Sequence, residues 1–201
     1  MPANPFLTPH ERQVLENATV GIAGAGGLGS NCAAHLVRAG IRRLVIADFD
    51  VVSEGNLNRQ FFFRDQVGLK KVDALRENLL RIDCDLTLEM HDIKLNDANI
   101  GPMFAACGIV AEALDSAQDK AMLVDTLLPA GKTVVTVSGI AGWGRSNDII
   151  ARQVGGNLVM IGDCHTAVDP SMCVWPVSPR VGIAAAMQAN SIVARLLKKN
   201  I

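Results

Sequence analysis

Apolar residues along this chain fall into two alternating textures. Short runs of branched aliphatics at residues 19–23, 43–47, 108–113 and 132–138 end at polar or glycine positions, the signature of strands buried on both faces. Between them lie longer stretches with apolar residues at helical spacing. Residues 27–39 form one such stretch, closed by Gly40, and residues 71–82 another, with Val72, Leu75, Leu79 and Ile82 on one side. Residues 96–106 and 117–128 read as helices too, the second capped by Ser116, and residues 86–91 alternate as a further strand. At the N-terminus, residues 8–17 predict a short helix with Thr8 as N-cap and Pro9 in first position, Glu11 falling one residue short of a capping box.

The order βαβαβαβαβ with right-handed crossovers predicts a Rossmann-like, doubly wound α/β fold around a mainly parallel sheet. The tail breaks that alternation. Two short strands, 148–153 and 157–161, flank Gly155-Gly156 and predict antiparallel strands added as a hairpin at the sheet edge, toward the C-terminus. A last helix over 181–198 carries Ile183, Met187, Ile192 and Leu196 on one side and ends in two lysines that suit the helix dipole. No repeat or low-complexity linker interrupts the chain, so residues 1–201 are expected to form one domain.

Composition narrows the class. The 201 residues are 49% hydrophobic, only 4% aromatic and 19% charged, an aliphatic core-rich balance. A net charge of −1 offers no electrostatic reason to bind nucleic acid or a membrane surface. No apolar run is long enough to span a bilayer and no signal-peptide pattern opens the chain, so a cytoplasmic location is expected. The 5 cysteines form no CxxC pair. Cys32, Cys84 and Cys107 read as small buried hydrophobes, whereas Cys164 and Cys173 fall in a polar loop.

Candidate chemistry begins at the end of the first strand, in Gly24-Ala25-Gly26-Gly27-Leu28-Gly29-Ser30. A glycine turn entering a helix holds phosphate on free N–H groups at the positive end of the dipole. Gly24 permits the turn, Gly26 lets a phosphate approach the backbone, and Gly29 lets helix pack on strand; Gly27 belongs to the same turn. About 20 residues on, where such folds bind ribose hydroxyls, the second strand ends in Asp48-Phe49-Asp50. A dehydrogenase and an ATP user share these features.

The loop beyond is the discriminator. It reads Ser53-Glu54-Gly55-Asn56-Leu57-Asn58-Arg59-Gln60, followed by Gly68-Leu69-Lys70-Lys71. A triphosphate tail needs cations beyond the turn, and Arg59 and Lys71 are placed to supply them; Asn56 and Gln60 offer amides to polar oxygens. The plain alternative is a solvated loop with ordinary surface charges. Downstream, an apolar strand delivers Asp115 to the carboxyl end of the sheet, where a carboxylate suits Mg²⁺ or simply caps the next helix, a role Ser116 fills equally well.

Taken together, these residues resemble the ThiF/HesA/MoeB family, adenylating enzymes related to ubiquitin-activating proteins. The resemblance spans residues 18–140, and its Asn56-Leu57-Asn58-Arg59-Gln60 element is far more specific than the glycines. It implies that Gly24, Gly26, Gly27, Gly29, Asp48, Asp50, Asn56 and Gln60 contact ATP, with ribose on Asp48. It implies that Arg59 and Lys71 hold the phosphates and Asp115 holds Mg²⁺, these three carrying catalysis; Lys70 competes with Lys71. Residues 138–142 and 178–190 are similar to a short ThiF subgroup of thiamine biosynthesis. The implied reaction is adenylation of the C-terminal glycine of a small ubiquitin-like sulfur carrier ending in Gly-Gly, by a homodimer that binds neither nucleic acid nor membrane. Alternatives are an NAD-dependent oxidoreductase and a non-catalytic nucleotide-binding module that docks the carrier.

The chain departs from longer members of that family at three points. It lacks their paired CxxC motifs, so no structural zinc is expected. Arg12 does not align with their N-terminal arginine and reads as a surface residue. Cys164 and Cys173 are the only candidates for a later sulfur-transfer cysteine, beside His165, against an incidental role. Trp143 and Trp175 line a groove for a carrier tail or pack at the domain edge, and the glycines of residues 142–147 suggest a mobile flap.

Overall fold

The computed structural model describes residues 5–200 and shows a seven-stranded sheet sandwiched between helices. In chain order the elements are α1 (Pro9–Asn17), β1 (Thr19–Ala23), α2 (Gly27–Ala39), β2 (Arg43–Asp48), α3 (Lys71–Leu80), β3 (Thr87–Asp92), α4 (Asp97–Met103) and β4 (Ile109–Glu112). They continue with α5 (Ala117–Leu127), β5 (Thr133–Val137), β6 (Ile150–Val154), β7 (Leu158–Gly162) and α6 (Ser178–Leu196). The sheet order is β3-β2-β1-β4-β5-β7-β6, and every neighbouring pair is parallel except β6–β7.

Residue alternation builds the two layers. Val20 and Ile22 of β1, Leu44 and Ile46 of β2, and Val135 and Val137 of β5 face one core shared with α1, α2, α3 and α6. Val45, Ala47, Val110 and Val134 face the other, closed by Ile100 of α4, Phe104 at its C-cap, and Leu123 and Leu127 of α5. The doubly wound expectation holds. The hairpin is subtler than expected: β7 enters the sheet parallel to β5, and only the edge strand β6 runs against it.

Four local expectations are corrected. Thr8 and Glu11 do form a reciprocal capping box, because counting from the cap puts Glu11 at the third helical position. The last helix starts at Ser178, and its buried stripe is Val181, Ala184, Ala185, Gln188, Ala189 and Ile192, with Ile183, Met187 and Leu196 only partly covered. Small residues won that face because α6 lies close along α2, which presents its own Ala33 and Ala34. Cys32 and Cys107 are buried, but Cys84 is exposed between Asp83 and Asp85 in the turn before β3. The segment 142–147 is no free flap: Arg180 donates to Ile140 O at 3.3 Å, Gly144 O at 2.6 Å and Arg145 O at 3.1 Å, pinning it to the start of α6.

Candidate functional site

The strand order reverses between β1 and β4, and there a pocket opens at the carboxyl ends of the strands, where this architecture holds ligands. Its space, open mouth included, is about 340 Å³. Gly24 and Asp48 line it together with Ala47, Phe49, Ile93, Lys94, Leu95, Leu114 and Asp119. An apolar slot with polar groups at its rim suits a flat heteroaromatic group. Lys94 Nζ sits 5.7 Å from the Phe49 ring centre, a cation over an aromatic face.

The glycine turn enters the pocket lining through Gly24. Gly24 has φ +97°, and a Cβ there would stand 2.6 Å from Ala113 O. Gly26 is the N-cap of α2, whose first backbone bond, Ser30 N–H to Gly26 O at 3.0 Å, leaves the preceding N–H groups facing outward. Asp48 secures the turn: its Oδ2 accepts the Ala25 N–H at 2.6 Å and its Oδ1 the Asp50 N–H at 2.8 Å. Each oxygen keeps a second lone pair for a ligand hydroxyl.

The loop after β2 folds back over this turn. Asn31 donates to Gly27 O at 2.7 Å and to Arg59 O at 2.9 Å, while Ser30 Oγ accepts the Phe61 N–H at 3.0 Å. The Arg59 stem therefore covers Gly27, where a Cβ would meet its Cγ at 3.3 Å. The guanidinium donates to Gly55 O and Asn58 Oδ1. Gln60 is 8% exposed, and its Oε1 has no hydrogen-bond partner among the described residues. That leaves one buried acceptor beside the helix terminus open to water or to a ligand donor, while Gln60 Nε2 is the side-chain atom nearest Gly26. Asn56 serves locally, its Oδ1 accepting the Ser53 N–H at 3.0 Å.

Lys71 is 4% exposed, and its Nζ lies 2.6 Å from Asp50 Oδ2, so these two predicted residues meet each other. Lys70 points elsewhere, to Asp92 at 2.6 Å in an exposed pair. Asp115 is exposed beyond β4, and among the described residues its carboxylate has no hydrogen bond or ion-pair partner. Ser116 caps α5, accepting the Asp119 N–H at 3.0 Å, so the helix-cap alternative for Asp115 is overturned. A free carboxylate at a strand end is a hard oxygen donor of the kind Mg²⁺ takes.

Other candidates lie apart from the turn. Arg12 sits on α1, which packs near Gly40 at the far end of α2 through Leu15, about 20 Å of helix from Gly26 by its rise per residue. Cys164 and Cys173 are exposed and both adopt left-handed backbone angles. The His165 ring is held by Asp163 O at 2.8 Å. Trp143 is 74% exposed and does not pack into the domain edge, whereas half of the Trp175 surface is covered, at 50% exposed. Ile93, Lys94, Leu95 and Asp119 escaped the sequence reading because no local spacing marks them. Only the topology brings the β3 exit and the first turn of α5 to the β1–β4 crevice.

Comparison with known proteins identifies the family and the fold. The ThiF family model matches residues 3–201. The chain belongs to the ThiF family. It is 32% identical over 180 residues to the adenylyltransferase and sulfurtransferase UBA4 of Eremothecium gossypii, covering 89% of this chain and 38% of that protein. It is 37% identical over 86 residues to ubiquitin-like modifier-activating enzyme 5 of Caenorhabditis elegans, 43% of this chain and 20% of that one. The chain thus spans less than half the length of these curated relatives. In fold it is similar to E. coli tRNA N6-threonylcarbamoyladenosine dehydratase TcdA, solved with AMP, at TM-score 0.86 and 20% identity over 94% of this chain and 90% of that one. E. coli MccB follows the same fold at TM-score 0.72 and 20% identity, over 94% of this ThiF-family chain and 58% of MccB.

Proposed function

We propose that residues 1–201 act as one ATP-dependent adenylating domain. The observation that carries this reading is the stitching of the Asn56–Gln60 loop onto the glycine turn, which sets the Arg59 stem against Gly27 and the Gln60 Nε2 donor nearest Gly26 at the first turn of α2. A dinucleotide pyrophosphate is largely satisfied by backbone donors, so a cation and amide added at the turn favour a triphosphate. The UBA4 relative, named as an adenylyltransferase, and the ubiquitin-like modifier-activating relative support the same chemistry and a ubiquitin-like partner.

In this reading the pocket between Phe49 and Leu114 takes the base, Asp48 the ribose, and the glycine turn with Arg59 and Lys71 the phosphates. The C-terminal glycine carboxylate of a small carrier, already ionised at neutral pH, attacks the α-phosphorus. The new carboxyl–phosphorus bond forms as the bond to the β,γ-pyrophosphate breaks, giving acyl-adenylate and pyrophosphate. No side chain need accept a proton. Alignment supplies up to about 7–11 kcal/mol in favourable cases, and each well-placed charge-stabilising donor about 3–4 kcal/mol. Asp115 is the residue to hold Mg²⁺, which when bound neutralises phosphate oxygens. The finer reading is a homodimeric, cytoplasmic enzyme acting on a ThiS-like sulfur carrier for thiamine thiazole synthesis; no helix among the described residues is long and apolar enough to cross a membrane.

The test is mass spectrometry of Gly-Gly-ending carriers incubated with ATP, Mg²⁺ and this protein, alongside carrier-dependent ATP–pyrophosphate exchange. An AMP adduct is expected on a ThiS-like carrier, and Asp115→Ala is expected to lower exchange by about 100-fold or more. Tight ATP binding with every carrier mass unchanged would reduce the protein to a docking module.

A further inference from the structure

Behind the free carboxylate of Asp115 lies a second acid that the chemistry above leaves unused. Glu112, the last residue of β4, is 0% exposed. Its Oε1 accepts the Leu114 N–H at 2.7 Å, and Lys120 Nζ reaches both of its oxygens, at 3.0 and 2.9 Å. Thr136 Oγ1 on β5 donates to Oε2 at 2.5 Å. One buried carboxylate thus holds both ends of the segment that carries Asp115: the backbone just before it, and the helix α5 just after it.

The same segment forms a wall of the glycine turn. Ala113 N–H donates to Ala23 O at 2.9 Å, and Ala113 O is the atom that leaves no room for a side chain at Gly24. From below, Gln188 of α6 donates to Glu112 O at 2.9 Å and to Val135 O at 2.8 Å, fixing the strand end itself. A saturated buried acid of this kind rigidifies what hangs from it.

We propose that Glu112 is a positioning residue: through its bond to the Leu114 N–H it sets the chain direction at which Asp115 projects, and so the strength with which a divalent cation tightens nucleotide binding. The inference rests on the reading of Asp115 as the cation-holding carboxylate. Two conservative changes separate positioning from mere core stability. Glu112→Gln removes the charge paired with Lys120 but keeps an oxygen in reach of the Leu114 N–H. Glu112→Asp keeps the charge but withdraws it by one methylene from that N–H.

The experiment is calorimetric titration of ATP, with and without Mg²⁺, into the full chain and its Glu112→Gln, Glu112→Asp and Asp115→Asn variants, with thermal melts of each. Mg²⁺ is expected to tighten ATP binding in the unaltered protein and to lose that gain in Asp115→Asn. Glu112→Asp is expected to lose about 10-fold or more of the gain, with ATP binding alone unchanged, while Glu112→Gln keeps it. Loss that merely follows each variant's melting temperature, or a gain retained in Glu112→Asp, overturns the positioning role. Retention of the gain in Asp115→Asn, or its absence from the unaltered protein, instead sinks the reading of Asp115 itself, and the positioning role with it.

Discussion

At Gly29 the packing of helix on strand comes down to a single hydrogen atom. A Cβ at that position would lie 1.8 Å from Gly24 O, backbone that no rotamer change can move aside, and 3.1 Å from Ile22 Cγ2. Gly29→Ala is therefore expected to push α2 off β1 and open the phosphate turn. The cost should reach at least the upper part of the ~1–3 kcal/mol typical of overpacking, read by chemical denaturation, with weakened ATP binding in the folded fraction. Gly26→Ala is the control. Its nearest neighbour would be Gln60 Nε2 at 3.8 Å, so the fold tolerates the methyl and any loss belongs to ligand approach. A Gly29→Ala protein with unaltered stability would show that the turn is less tightly built than its geometry requires.

Elements were legible in proportion to how locally their signals act. The capping of α1 illustrates a strong one: Thr8 Oγ1 accepts the Glu11 N–H at 3.2 Å, and the Glu11 carboxylate returns to the Thr8 N–H at 3.0 Å. Hydrogen bonds from Lys199 and from Thr8 hold that carboxyl at about 2, so the box persists well into acid. Thr8→Ala should cost about 1 kcal/mol, measured as a shift in denaturation midpoint at unchanged slope. The glycine turn was readable for the same reason, and Asp48 because it closes the same βαβ unit, at the end of the strand that follows α2. The buried face of α6 was not, since apolarity alone points to Ile183 and Met187, whereas the contact with α2 selects residues by size. Pocket residues Ile93 to Leu95 and Asp119 were silent because a crevice made by strand order leaves no mark on local spacing. Glu112 and Arg180 were silent too. A charge in a sequence reads as surface until the structure shows what surrounds it.

Across the whole molecule, Arg180 joins what the sheet alone would leave apart. The helix α6 begins beside the glycine turn, where a Cβ on Gly27 would meet Val181 Cγ1 at 3.1 Å. One residue earlier, the Arg180 side chain, 2% exposed, donates to Asp163 Oδ2 at 2.7 Å and to carbonyls of the 140–145 segment. These segments need such a pin, since Gly139, Gly142, Gly144, Arg145 and Cys164 all hold left-handed backbone angles. Burial works to raise the Asp163 carboxyl, but hydrogen bonds from the Thr166 hydroxyl and from the Thr166 and His165 N–H groups outweigh it and keep it well below the usual range. Arg180→Met leaves that carboxylate and three carbonyls without their guanidinium and should cost about 3–5 kcal/mol, the penalty for breaking a buried pair from one side. Arg180→Lys should recover little, because a single ammonium cannot replace the planar fork. The acid limb gives an independent check. A carboxyl depressed on folding adds stability that is complete above its unfolded value of 3.8 and fades as pH falls toward its lower folded value. The stability gap between the unaltered protein and Asp163→Asn should therefore be constant near neutrality and narrow below that point. A gap that widens in acid would mean the Asp163 carboxyl is not held ionised by the fold, and the pin would have to be assigned to the arginine–carbonyl bonds alone.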